Sequence, residues 1–412
     1  MVSQWLAANP ECLDLNRSGG RQFVMRAIAA VRSPEMVDLL LGQGLDVGTV
    51  SGLWASGMGL ECVPAWVAEH LIRRGAVVTA HAAAAMGLEG LLRALLEVQP
   101  EQVHSRGVDE TRPLHMARTV EIAQLLLERG AEVDARDEDH DSTPAQWRIG
   151  QAPEVTRFLM GHGAHTDLFM AAGLGDLELA RYWVRDDPVC TTHRIGHNNG
   201  PFPGIGFRGR GGTIYQWTLG FNQSPHEIAW HRGHRELFEV LWDHTPPRSQ
   251  LLVACMLADR ERATAVLASS PGLIAELDVE DRALLAKSCW ETNLNPEAVR
   301  LMLDLGFPVD VPESNHGYLP LHNAAWCGAP ELVELLLSRG HPVDRRDPGY
   351  HSTALGFALH SARVARRHPE GDFPRVVHLL LESGTPLDEG RYPTGDAAID
   401  AVIQQHLNRR MP

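Results

Sequence analysis

Histidine is the residue type with the widest chemistry that this chain holds in quantity: 21, against 5 tyrosines and 10 phenylalanines. The densest local grouping is Asp139-His140-Asp141, followed directly by Ser142-Thr143-Pro144-Ala145-Gln146-Trp147. An imidazole between two carboxylates can move protons without a cofactor, with His140 and either Asp139 or Asp141 as the candidate catalytic pair. The grouping also stands just ahead of a helix start marked by Pro144, where unpaired N–H groups attract negative charge. The same residue types make an ordinary cap, in which Ser142 or Thr143 closes the first turn and the acids complement the helix dipole. His351-Ser352-Thr353 repeats the phrase, which argues for a structural job common to both stretches.

The remaining groupings are less demanding. His226 and His231 flank a helix that imitates a zinc-protease motif. That motif needs two histidines four apart on one face, whereas these are five apart, about 140° round the helix. His193 and His197 have the right separation but sit in a Gly/Asn-rich stretch where no helix is expected. Gly204, Gly206 and Gly209 spell G-x-G-x-x-G, yet neither the preceding Gly200-Pro201-Phe202-Pro203 nor the following Arg210-Gly211-Gly212 supplies the strand and helix a dinucleotide site needs. The six cysteines (Cys12, Cys62, Cys190, Cys255, Cys289, Cys327) contain no Cys-x-x-Cys pair, so a zinc ribbon or dithiol motif is absent. No metal site and no cofactor is expected.

The elements that must position these residues come from an internal repeat. Residues 36–47, 122–134 and 332–344 each read as an apolar helix face, a leucine triplet, a glycine and a Val/Asp close, with weaker copies at 67–78, 155–166, 299–310 and 376–388. Gly44, Gly75, Gly130, Gly163, Gly306, Gly340 and Gly384 end the copies, and adjacent ones are spaced by 31, 33 and 34 residues. Leucine triplets with Val or Ile three and four positions earlier make a wide apolar stripe, and a glycine after the last turn stops the helix. Upstream of several triplets lies a shorter segment opened by proline at the first helical turn: Pro113, Pro144, Pro225 and Pro320.

On these residues the chain resembles the ankyrin-repeat family, whose repeat opens Thr-Pro-Leu-His-x-Ala-Ala and closes Leu-Leu-Leu-x-x-Gly-Ala-Asp-Val. The best copy has Pro320, Leu321, His322, Ala324, Ala325, Gly328, Leu335 to Leu337 and Gly340. The copy beginning at Thr111 lacks three residues between its helices. The resemblance implies an all-α ankyrin-repeat solenoid of about 11–12 helix-loop-helix units in one continuous array over 1–412. Three stretches break the period: a Gly-rich insert at 191–223, a second at 360–373 and a modest one at 311–318. Residues 394–410 are expected to form a C-terminal capping helix. Within the large insert, 213–219 has strand-like composition and is expected to add a short β-ribbon. The resemblance also implies that His115 and His322 hydrogen-bond between neighbouring loops.

Composition limits the partners. The chain has 412 residues, 44% hydrophobic and 22% charged, with a net charge of −15. That balance argues against nucleic-acid binding, which needs clustered Lys and Arg. No apolar run reaches the ~18 residues that span a bilayer, and no secretory signal is expected at the start, so the cysteines are expected reduced and the protein cytoplasmic. The family's concave side, formed by first helices and fingers, would then carry Gln146, Trp147, Trp230, His231, Asn323 and Trp326, with the insert adding Tyr215, Trp217 and the adjoining His226. The expected function is a binding module that recognises a protein partner through its groove and finger loops. The alternative is a small-molecule site or a cofactor-independent acid–base enzyme, with His140, Asp141 and His231 catalytic and the other residues lining the pocket. A third reading, an acidic surface that holds a basic protein, rests on charge alone.

Overall fold

A repeat of this kind needs a short helix that packs through small side chains and a longer one with an apolar stripe. The computed structural model describes residues 9, 33–43, 60–195, 212–313, 316–365, 368, 370–387 and 392–410. In the best-matched copy Pro320 opens the short helix Pro320–Trp326 and Pro330 opens the longer helix Pro330–Ser338. Ala324 and Ala325 are fully buried, as are Leu332, Val333 and Leu336 on the stripe. Gly328 joins the two helices at φ 64°, and a Cβ there would lie 2.8 Å from the backbone of Gly371, so conformation and space both call for glycine.

The same pairing gives Pro144–Arg148 with Pro153–Gly161, Pro225–His231 with Arg235–Asp243, and Ala354–His360 with Phe373–Glu382. Where three residues are missing, the first helix shrinks to a single 3-10 turn, Pro113–Met116, ahead of Val120–Glu128. The longer helices end alike. Gly130 N–H donates to Leu127 O and Ala131 N–H to Leu126 O, and Gly340 and His341 repeat the pattern on Leu337 and Leu336. These paired bonds satisfy carbonyls that the helix end would leave open.

Every described element is helical, and no strand occurs among the described residues. The expected ribbon at 213–219 is instead a helical turn, Tyr215–Thr218. Ile214 and Tyr215 are both buried and Leu219 packs at Gly173, a spacing that a turn provides and an alternating strand does not. Tertiary packing overrides the β-propensity of Thr, Ile, Tyr and Trp here. In the second insert, helix Ala354–His360 continues through a π turn, Ser361–Ala365, and Asp372 N–H donates to Gly328 O at 2.9 Å. The last helix, Ala397–Arg410, buries Ile399 and Ile403 one turn apart and packs on Phe373–Glu382. The 204–209 glycine pattern, His197 and the 44–47 close lie outside the described residues.

The described chain divides into two compact units. The first runs to Leu174 and takes back 212–219; the second takes 175–195 and everything from Gly220 on. His140, Asp141, Gln146, Trp147, Tyr215 and Trp217 belong to the first. His226, Trp230, His231, Asn323 and Trp326 belong to the second.

Candidate functional site

Four short helices carry a polar side chain at their third position, and that side chain does two jobs. It first accepts the N–H of the residue before the helix: His115 Nδ1 from Arg112 (3.0 Å), Gln146 Oε1 from Thr143 (2.9 Å), Glu227 Oε2 from Ser224 (2.9 Å) and His322 Nδ1 from Leu319 (3.3 Å). It then reaches a neighbouring segment. The histidines, with Nδ1 used as acceptor, carry their proton on Nε2 and donate it to Ser142 O and Ser352 O, 3.1 Å each. Burial pushes the His115 pKa down to about 3 and lowers that of His322, so both imidazoles stay neutral. Gln146 sends Nε2 to Asp167 Oδ2 at 3.1 Å. Glu227 takes Arg194 in a fork, with Nη1 and Nη2 each 2.7 Å from a carboxylate oxygen. The histidine of the motif is thus replaced, with its bridging role kept, on either side of the large insert.

The two fingers with His-Ser-Thr are built alike. Asp137 accepts His140 N–H (2.7 Å) and Ser142 N–H (2.8 Å), as Asp347 accepts Tyr350 N–H (2.6 Å) and Ser352 N–H (2.8 Å). Arg136 and Arg346 donate to Asp141 O and His351 O, the residues of positive φ (45° and 51°) at each turn. The grouping singled out at 139–141 is therefore first of all a finger scaffold. His140 is 7% exposed, with Nδ1 3.4 Å from Thr213 Oγ1 and Nε2 3.6 Å from Asp139 Oδ2. Asp141 turns away to Arg136 at 3.3 Å. Asp139, rather than Asp141, is the carboxylate that faces the imidazole.

Asp109, from the preceding finger, joins that pair, and one ligand atom from each of Asp109, Asp139 and His140 lies within 4.8 Å of the others. Burial and the neighbouring Asp139 raise the Asp109 pKa. These three side chains are the only such grouping among the described residues with the donor set for a divalent cation.

Beside them, Tyr215 inserts into the core. It is fully buried against Phe169, at 5.6 Å between ring centroids, and donates its hydroxyl to Asp167 Oδ2 at 2.7 Å. Asp167 also accepts Gln146 Nε2 and, through Oδ1, Met170 N–H at 2.9 Å. Burial raises the Asp167 pKa, and burial with the adjacent carboxylate raises that of Tyr215. Trp147 donates Nε1 to Asp137 at 3.1 Å, while Trp217 stays 65% exposed.

In the second unit, His226 and His231 point to different environments, as their spacing requires. His226 is buried on Thr245 Oγ1 at 2.7 Å, its pKa pushed down to about 3 by burial, and His231 is exposed. Trp230 lies under the Arg235 guanidinium at 3.5 Å. Asn323 is buried and donates to Ala286 O at 2.9 Å. Trp326 belongs to a half-exposed aromatic row. It stacks on Trp290 (6.0 Å, 17°) and on His360 (5.8 Å, 24°), and Trp290 in turn meets Tyr318 at 6.3 Å. Glu291 Oε1 anchors the row, 2.9 Å from Trp326 Nε1 and 3.1 Å from His368 Nε2. Burial, helped by Tyr350, pushes the Tyr318 pKa up to about 12.

Sequence reasoning passed over Asp167, Arg194, Glu291 and His368. Only for Arg194 does a signal exist: Glu227 at a motif histidine position asks for a cation. Two family models match the chain, "Ankyrin repeats (many copies)" over residues 302–358 and "Ankyrin repeat" over 111–138. Both matched stretches are ankyrin repeats. The matched stretches include His115 and the His322 bridge, together with Tyr318 and Trp326 of the aromatic row. Among solved structures, the human ASB11 ankyrin repeat domain is similar at 21% identity, covering 75% of this chain and 98% of that one. Its TM-score is 0.26, a superposition too loose to bear on the fold. A search of curated proteins finds no match. No helix among the described residues is long and apolar enough to cross a membrane.

Proposed function

We propose that this ankyrin-repeat chain binds a protein partner through the first helices and fingers of its second unit, with Trp290, Tyr318, Trp326 and His360 as the contact. Ankyrin repeats are generally protein–protein interaction modules. The observation that carries the reading is the aromatic row itself. Four rings from three successive repeats lie against one another yet are not fully buried, and Glu291 holds the Trp326 indole N–H at their centre. Rigid aromatic surface of this kind loses little entropy on binding and makes interface hot spots. Tyr350, at the tip of the neighbouring finger, is 74% exposed and extends the surface. A cytoplasmic setting belongs to the reading, supported by Cys255, Cys289 and Cys327, which are buried as thiols.

The test is photo-crosslinking in cells with a photoreactive residue in place of Tyr350, compared with the same residue in place of Tyr182 on helix Leu177–Asp186. A discrete adduct at position 350 alone is expected. Trp326→Ala should weaken it by roughly thirtyfold, the loss of about 2 kcal/mol typical of a hot spot, with the helical circular dichroism unchanged. Equal labelling at both positions, or an adduct that a folded Trp326→Ala variant retains, refutes the reading.

A further inference from the structure

Arg148 stands where the repeat calls for a small apolar residue. Placing Pro144-Ala145-Gln146-Trp147-Arg148-Ile149 against Pro320-Leu321-His322-Asn323-Ala324-Ala325 sets Arg148 opposite Ala324, which is fully buried. Arg148 is buried as well, with 7% of its surface exposed. The one hydrogen bond of its side chain among the described residues runs from Nη2 to Gln151 Oε1 at 2.9 Å, and its Nε has no partner. Among the described residues no carboxylate pairs with it. Burial alone pushes its pKa down to about 10. The contrast with Arg194 is direct: that less buried guanidinium is answered by the two-pronged contact from Glu227.

The element packed beside it cannot make up the deficit. Helix Pro144–Arg148 is followed by Gly150, where a Cβ would lie 2.7 Å from Thr218 O, so the turn Tyr215–Thr218 is pressed against this part of the chain. From Pro188 to His226 the sequence contains no acidic residue at all, although the whole chain holds 52. The polar side chain which that turn does bury, Gln216, has an Oε1 with no partner either. A buried guanidinium without a counter-charge is strongly destabilising, and the strongest relief open to it is an anion whose oxygens take its N–H fork.

We propose that Arg148 anchors a binding site for a small oxyanion, a carboxylate or phosphate group that supplies the counter-charge the fold omits. The site lies in the first unit and does not depend on the partner surface of the second, so either reading can fail alone. Alanine is the residue the sister repeat uses at this position, which makes Arg148→Ala compatible with folding.

The experiment follows thermal unfolding of the full chain in sodium phosphate, sodium acetate and sodium chloride at matched ionic strength, with calorimetric titration of phosphate and acetate. The wild-type chain should gain about 2–4 °C in Tm over chloride in at least one of the two oxyanions. Arg148→Ala should abolish that gain and weaken the titrated affinity at least tenfold. Phosphate acting alone assigns a phosphate group to the site, and acetate acting alone a carboxylate. A wild-type gain no larger than in chloride, or an equal gain in Arg148→Ala, overturns the proposal. Arg148→Gln, which removes the charge and keeps the length, gives the same comparison if the alanine variant fails to fold.

Discussion

Tyr215→Phe isolates the bond that fastens the returning 212–219 stretch to the repeats. The substitution keeps the ring against Phe169 and removes only the hydroxyl, which lies 2.7 Å from Asp167 Oδ2. A hydrogen bond to a charged acceptor contributes about 1.5–3 kcal/mol. Asp167 keeps two other donors, Gln146 Nε2 and Met170 N–H, so a loss of about 2 kcal/mol is expected. The loss has a pH signature. The folded pKa of Asp167 is raised above its ordinary 3.8 by burial, and the Tyr215 hydroxyl opposes that rise. A carboxyl whose folded pKa is raised contributes most below its unfolded pKa and loses that contribution as pH climbs through the folded value. The variant raises the folded value further, so its deficit should be small near pH 4 and full at pH 8. Urea unfolding followed by circular dichroism at both pH values measures it, and hydrogen exchange of the 213–219 amides places it. A deficit under about 0.5 kcal/mol at pH 8, or one equal at both pH values, would show that the hydroxyl does not sustain a charged Asp167.

Two further outcomes follow from the buried histidines and from the forked pair. Burial holds His81 and His341 at about 4 and His115 and His226 at about 3, against an ordinary 6.5. The unfolded chain therefore binds protons first, and stability should fall as pH drops from 6.5 towards those values. By pH 5 each histidine contributes a loss of up to about 2 kcal/mol, read as a drop in urea midpoint between pH 7.5 and 5; an unchanged midpoint would contradict the buried neutral imidazoles. Arg194→Met leaves Glu227, whose side chain is 1% exposed, without its cation. A cost of about 3–5 kcal/mol is expected, with Glu227→Gln costing less because Gln still accepts the Ser224 N–H; equal costs would show that the charge pairing is not what matters.

The contrast between legible and hidden features follows contact distance along the chain. Pro144 and Pro320 at helix starts, Gly130 and Gly340 at helix ends, and the leucine stripes act within one or two turns, and each appears in the structure where its type places it. The bridging role implied for His115 and His322 was legible because it belongs to the same repeating phrase. The 139–141 grouping was legible as a cluster and not as a geometry: which carboxylate faces His140 depends on a positive φ at Asp141 and a staple from Asp137. The ribbon expected at 213–219 failed because β-propensity is a weak, context-dependent preference, and burial of Ile214 and Tyr215 side by side outweighs it.

Residue order alone sets the repeating helix pairs that resemble ankyrin repeats, where those helices begin and stop, and the acidic balance of charge. Those properties come from periodicity and capping, which are local. The tertiary structure alone decided that Tyr215 meets Asp167 across 48 residues, that Arg194 meets Glu227 across 33 and that His368 meets Glu291 across 77. It alone decided that Arg148 is left with no carboxylate among the described residues. Such pairings depend on which repeats stack and where each insert returns. Burial then sets which of these groups stays charged, because removing water penalises every charge that a neighbour does not answer.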